Sequence, residues 1–157
     1  MSLDPTDLRT IDDVANYGWH CLHVAAEGDL PGFSFSVGFW ETLNAPEVII
    51  FGLRHELTHE ILWEVFRQIQ AGKTLVDGER WTGLIEGFDC ISRPVHPSQI
   101  DEHFGVAIWY RRYRTGLDDL RAFQMFWPGK LQGLFPWEAG CDEDVRAAQA
   151  LLYRARQ

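Results

Sequence analysis

His55 and His59 bracket Glu56, Leu57 and Thr58 in a literal H-E-x-x-H. On a helix, residues i and i+4 share one face, so both imidazoles can reach a single Zn²⁺. Glu56 would then take a proton from the metal-bound water, and the chemistry on offer is zinc-dependent hydrolysis. Leu57, Ile61, Leu62, Val65, Phe66 and Ile69 form the apolar stripe of such a helix. The two histidines fall at its edge, where a side chain can line a cleft. A third ligand is missing, however. His59 runs into Glu60-Ile61-Leu62-Trp63, without the Gly and third His of the metzincin extension, and Glu79 and Glu86 fall in a segment that reads as β. His55 also lies in the first helical turn, where helices fray. The expectation is no stoichiometric metal, with zinc on His55 and His59 and Glu56 as catalytic base kept as the alternative.

Other groupings carry less chemistry. In "HCLH", a strand would send His20 and His23 to opposite faces, while Cys21 and His23 share one; two ligands do not make a site. "WYRRYR" (109–114) interleaves aromatics with arginines, but in a chain of net charge -9 it reads as a solvated helix end. The aromatics of "FQMFWP" and "LFPWEAG" are more suggestive. Phe126, Trp127, Phe135 and Trp137 stand close together in sequence, with Gln124 and Glu138 as polar company. An indole N–H needs a partner when buried, so these residues suit the wall of a pocket with a few polar anchors.

The elements that must position these residues are legible in outline. Asp4 and Pro5 open a helix that Gly18 ends. "WHCLHVAA" (19–26) and "FSFSVGFW" (33–40) read as strands, the second with Phe and Ser alternating as on a half-buried strand. "EVIIFGL" (47–53) is a central strand, and a helix runs from residue 54 to Ala71. "RWTGLIEGF" and "DCISRPVH" are two more strands. A helix opened by Pro97 and Ser98 continues through "HFGVAIWYRRY", "LRAFQMFW" (120–127) is the last strand, and "DEDVRAAQALLYRARQ" a C-terminal helix. Short β–β connections require antiparallel pairing. The expected fold is therefore α+β, one domain over residues 1–157, with a mixed, mainly antiparallel, strongly curved and even barrel-like sheet and helices packed outside.

With 46% hydrophobic residues and seven Trp, the composition is that of a globular chain. Its charge of -9 excludes a general nucleic-acid or anionic-membrane binder, since phosphate binding needs a cationic face. Three scattered cysteines make a poor disulfide framework and read as reduced cytosolic thiols. The first eighteen residues hold four Asp and no apolar core, so no secretory signal is expected, and no apolar run approaches the roughly 18 residues of a membrane span. A cytoplasmic location follows as the expectation.

"YGWHCLHV", "FSFSVGFWETLNAPEVIIFGL" and "FQMFWPGKLQGLFPWEAG" together resemble the bacterial family called domain of unknown function 4262. The matching positions are Tyr17-Gly18-Trp19, Val37-Gly38, Pro46-Glu47, Phe51-Gly52-Leu53, Trp127-Pro128 and Gly133 to Glu138. Gly129 stands where such proteins usually carry Asp, so no polar role is expected there. The resemblance implies neither an activity nor a required H-E-x-x-H. By fold analogy alone, the segment order is similar to flavin-reductase-like split barrels. Arg54 and His55 at a helix N-terminus would then hold FMN phosphate or another anion. The leading expectation is a cytosolic binding or accessory module without a cofactor. Its aromatic cleft (Trp127, Trp137, Glu138, Gln124) would take a small ligand or partner protein. Zinc hydrolysis and a flavin- or anion-binding redox protein are the alternatives.

Overall fold

The unbroken run Val48-Ile49-Ile50-Phe51 demands burial on both sides of its strand, and the architecture supplies it. In the computed structural model, which describes residues 2–156, this run lies in β3 (Glu47–Phe51), buried throughout. β3 sits inside one six-stranded sheet of order β1-β2-β3-β6-β5-β4. The other strands are β1 (His20–Val24), β2 (Phe33–Val37), β4 (Glu79–Ile85), β5 (Phe88–Pro94) and β6 (Ala122–Phe126). Only β3 and β6 pair in parallel; every other neighbouring pair is antiparallel. The α+β class and the mixed, mainly antiparallel sheet are as expected. The sheet is open, because β1 and β4 are its two edges and do not pair, so it is not a barrel.

Helices cover both faces. Ile49 and Phe51 point to one side and pack with Phe35, Phe104, Ala107 and Ile108. This is the side of α1 (Pro5–Tyr17), α4 (Ile100–His103) and α5 (Gly105–Thr115). Val48 and Ile50 point to the other and meet Ile61, Leu62, Val65 and Phe66 of α3 (His55–Gln70), with Trp19, Trp81 and Met125 completing that core. The apolar stripe read from the sequence is thus the face α3 lays on the sheet. No helix among the described residues is long and apolar enough to cross a membrane.

Three elements differ from the sequence expectation. The strand read over 33–40 stops at Val37, because Gly38 takes φ 104°, open to glycine but not to a β-branched residue. A short helix, α2 (Phe39–Leu43), follows, its first amides bonded to the buried Glu47 carboxylate: Gly38 N–H at 2.6 Å and Phe39 N–H at 3.1 Å. The helix expected after Pro97 is broken at Phe104 into α4 and α5. The C-terminal helix, α6, covers only Glu143–Ala148. Gln149 turns extended because its amide exchanges hydrogen bonds with the Trp127 backbone, at 3.1 and 2.9 Å.

Nor is β2 half-exposed. Ser34 and Ser36 are fully buried beneath α3, so the polar half of the Phe/Ser alternation faces protein partners and not water. The burial of Ser34 bears directly on the site.

Candidate metal centre

β1 is an edge strand with period-2 alternation. His20, Leu22 and Val24 turn toward α1 and α5; Cys21 and His23 turn toward α3. His20, almost buried, is held by Asp13 of α1, Nδ1 to Oδ2 at 2.8 Å, so it takes no part on the other face. The first turns of α3 lie over that other face and deliver His59 beside Cys21 and His23. The thiol of Cys21 and one ring nitrogen each of His23 and His59 all lie within 4.8 Å of one another. Cys21 Sγ is already 3.6 Å from His23 Nε2. Around a tetrahedral zinc, with bonds of about 2.0–2.3 Å, such atoms stand about 3.3–3.6 Å apart. His59 is the exposed member of the three, so it is the one with room to close the remaining gap.

The candidate partners of His59 thus lie upstream of the H-E-x-x-H, on β1. Of the motif's two histidines, the structure brings His59 into the cluster and leaves His55 out. The His55 ring stacks on His23, centroids 4.4 Å apart and planes at 19°, presenting a ring face and not a lone pair. His23 and His59 are 6.1 Å apart, centroid to centroid. Glu56 is exposed on the first turn of α3, where its charge reaches His23.

A buried chain of hydroxyls fixes His23. Its Nδ1 lies 2.6 Å from Ser34 Oγ, which lies 3.0 Å from Thr58 Oγ1, which lies 3.0 Å from the His55 carbonyl. A carbonyl only accepts, so Thr58 donates to it. Ser34 then donates to Thr58, and His23 Nδ1–H donates to Ser34. That polarity satisfies all three contacts; the reverse satisfies two. His23 is thereby held as the Nδ1–H tautomer with the Nε2 lone pair toward Cys21, as an outer hydrogen-bond partner orients a metal-binding imidazole. Burial, and then the neighbouring charges of His55 and His59, lower the pKa of His23, the direction that favours its neutral, ligating form. Burial pushes the Cys21 thiol up to about 12, so a bound cation must supply the charge that draws off its proton.

On the side of Cys21 and His59, the cluster opens onto a hollow of ≈ 200 Å³ walled by Asp13, Tyr17, Trp19 and Trp63. Trp19, 3% exposed, packs against His59 at 5.6 Å and edge-on to Trp63 at 5.3 Å. Arg54 and His55, the expected anion-binding pair, line a different hollow, of ≈ 370 Å³, with Gly32, Gly52 and Ala148.

A family model described as Domain of unknown function (DUF4262) matches residues 13–142, most of the chain. The chain belongs to this family. Searches of curated proteins and of solved structures returned no match.

The residues that carry the DUF4262 resemblance are mostly ones that close the fold. Glu47, after Pro46, ties β2 to β3 by accepting from Ser36 Oγ at 2.7 Å and from the first amides of α2. Trp127 is half-buried and donates its indole N–H to the Phe51 carbonyl at 2.8 Å. Glu138 accepts from the Phe135 amide at 2.9 Å, bracing its own loop. Gln124, expected as a cleft anchor, is fully buried instead. Its amide donates to the Ala150 carbonyl at 2.6 Å and accepts from Leu152 N–H at 3.1 Å, docking the C-terminal segment onto β6. Trp137 borders a hollow of ≈ 380 Å³ shared with Asp77 and Arg93. Cys21, His23, Ser34 and Thr58 were not singled out as a site from the sequence. The available signals were the shared strand face of Cys21 and His23 and the serines set among phenylalanines.

Proposed function

We propose that this protein binds one transition-metal ion through Cys21, His23 and His59. The convergence of those three ligand atoms carries the reading. One thiolate and two imidazoles form a borderline-soft set suited to zinc, and three protein ligands leave a fourth position free, the pattern of catalytic and not of structural zinc. Ser34 and Thr58 support the reading by presenting His23 Nε2, and a reducing cytoplasm would keep Cys21 a free thiol. Bound there, zinc would supply Lewis acidity, and Glu56 stands near enough to His23 for its charge to be felt. The test is metal content after zinc loading and dialysis. One zinc per chain is expected in the wild type and in His55→Ala, with well under one in Cys21→Ser, His23→Ala and His59→Ala. A wild type that retains no zinc, or one whose zinc depends on His55 and not on Cys21, overturns it.

A second reading has one observation in its favour. Trp137 and Tyr153 face the Arg93 guanidinium at 4.9 and 3.7 Å, a rigid stack beside the ≈ 380 Å³ hollow where a small ligand or partner side chain could rest. Its test is whether Trp137→Phe keeps the melting temperature yet loses binding partners from a lysate.

A further inference from the structure

The hollow beside the metal centre has a shape and lining that restrict what its fourth position can accept. Cys21 and His59 belong both to the ligand cluster and to the wall of the hollow. The opposite flank is closed, since His55 is stacked flat on His23 and the Ser34–Thr58 chain occupies the Nδ1 side of the same ring. A tetrahedral ion held by the three ligands therefore turns its free position toward the hollow. Trp19, Trp63 and Tyr17 make that space aromatic, and Asp13, its one acidic group, is already bonded to His20.

Resting on the metal reading, we infer that the hollow is a substrate subsite for a small, flat, apolar molecule carrying one anionic metal-binding group. Size supports this. An apolar cavity of about 150 Å³ accommodates benzene, so ≈ 200 Å³ admits a benzene-sized body and a short donor group. Charge agrees, because a divalent ion with one thiolate keeps a net positive charge that an anionic donor neutralises. The aromatic body would lie among Trp19, Trp63 and Tyr17 while its oxygen completes the coordination.

The experiment uses the cobalt-loaded full chain, whose visible spectrum reports changes of coordination, titrated with benzohydroxamate and acetohydroxamate. Both probes should change the spectrum, benzohydroxamate binding roughly tenfold more tightly because its ring is buried. Trp63→Ala, and Tyr17→Ala as a variant at an exposed position, should each cut that preference roughly two- to tenfold, the worth of one aromatic contact, while cobalt stays bound. Cobalt that binds with a spectrum neither probe alters would mean a closed coordination sphere, overturning this inference and leaving the metal reading intact. A preference that is absent, or unchanged in both variants, overturns the aromatic subsite. Failure to bind cobalt or zinc at all removes both readings.

Discussion

Replacing Ser34 with Ala removes one oxygen that makes two hydrogen-bonding contacts, to His23 Nδ1 at 2.6 Å and to Thr58 Oγ1 at 3.0 Å. Thr58 keeps its carbonyl partner, but His23 N–H is left without one. At about 1 kcal/mol for each lost bond, the metal-free protein should lose about 2 kcal/mol. For a chain of this size that is a fall of about 4–8 °C in melting temperature. The effect on metal is the more specific one. A freed imidazole can rotate or change tautomer, and loss of such an outer partner typically costs 10–100-fold in affinity, as an order of magnitude. At free zinc of about 100 times the wild-type Kd, zinc should stabilise the wild type by about 2.7 kcal/mol and Ser34→Ala by only about 0.4–1.4 kcal/mol. Paired thermal melts with and without buffered zinc measure both quantities. Thr58→Val should weaken zinc binding too, because Ser34 is then free to donate to Nδ1 and hold the wrong tautomer. A Ser34→Ala protein that melts lower but gains as much from zinc as the wild type would refute the reasoning: the serine would be packing, not positioning.

The buried Glu47 makes stability depend on pH. Burial pushes it up to about 7, against the donors from Ser36, Gly38 and Phe39 that pull it down. Its folded pKa thus exceeds the unfolded value, so its contribution is fully present below pH about 4.5 and is lost as pH rises through about 7, at most about 3 kcal/mol. Melts from pH 5 to 8 should show a smaller decline in Glu47→Gln than in wild type; equal slopes would exclude this group as the cause. Ile50→Asp buries an unpaired carboxylate between β3 and α3 at a position 1% exposed, and soluble expression should be abolished. A soluble variant with the wild-type melting temperature would contradict the placement of β3. In Gly52→Ala the new Cβ would stand 2.5 Å from the Ala148 carbonyl oxygen at φ +79°, so about 2–4 kcal/mol of stability should go. An unchanged melt would show that the C-terminal segment does not dock on the end of β3.

Much of the fold was legible because its signals are local. The apolar stripe of α3 and the double-sided burial of β3 follow from spacing within a few residues, and so does the turn at Gly18. Elements ended early where a contact to a residue distant in sequence outweighed local propensity. Glu47 captures the amides that open α2, and Gln149 ends α6 by bonding to Trp127. Neither contact is visible in the window whose propensity it overrides, because Glu47 and Trp127 lie outside those windows.

The same division runs through the candidate centre. The sequence by itself determines that Cys21 and His23 share a strand face, since side chains alternate with period two, and that His55 and His59 share a helix face, since four residues make about one turn. Each pair taken alone is an incomplete site. Which strand face meets which helix face was decided only by tertiary structure, through the packing of α3 on β1 and β2 and a register that sets His23 opposite Ser34. A shift of one residue in that register would turn Cys21 and His23 away from α3 and bring His20 and Leu22 in their place. The fold is held in its register by burial of Phe35 and Val37 on the opposite face, so the hydrophobic pattern of β2 positions the ligands it does not itself contain.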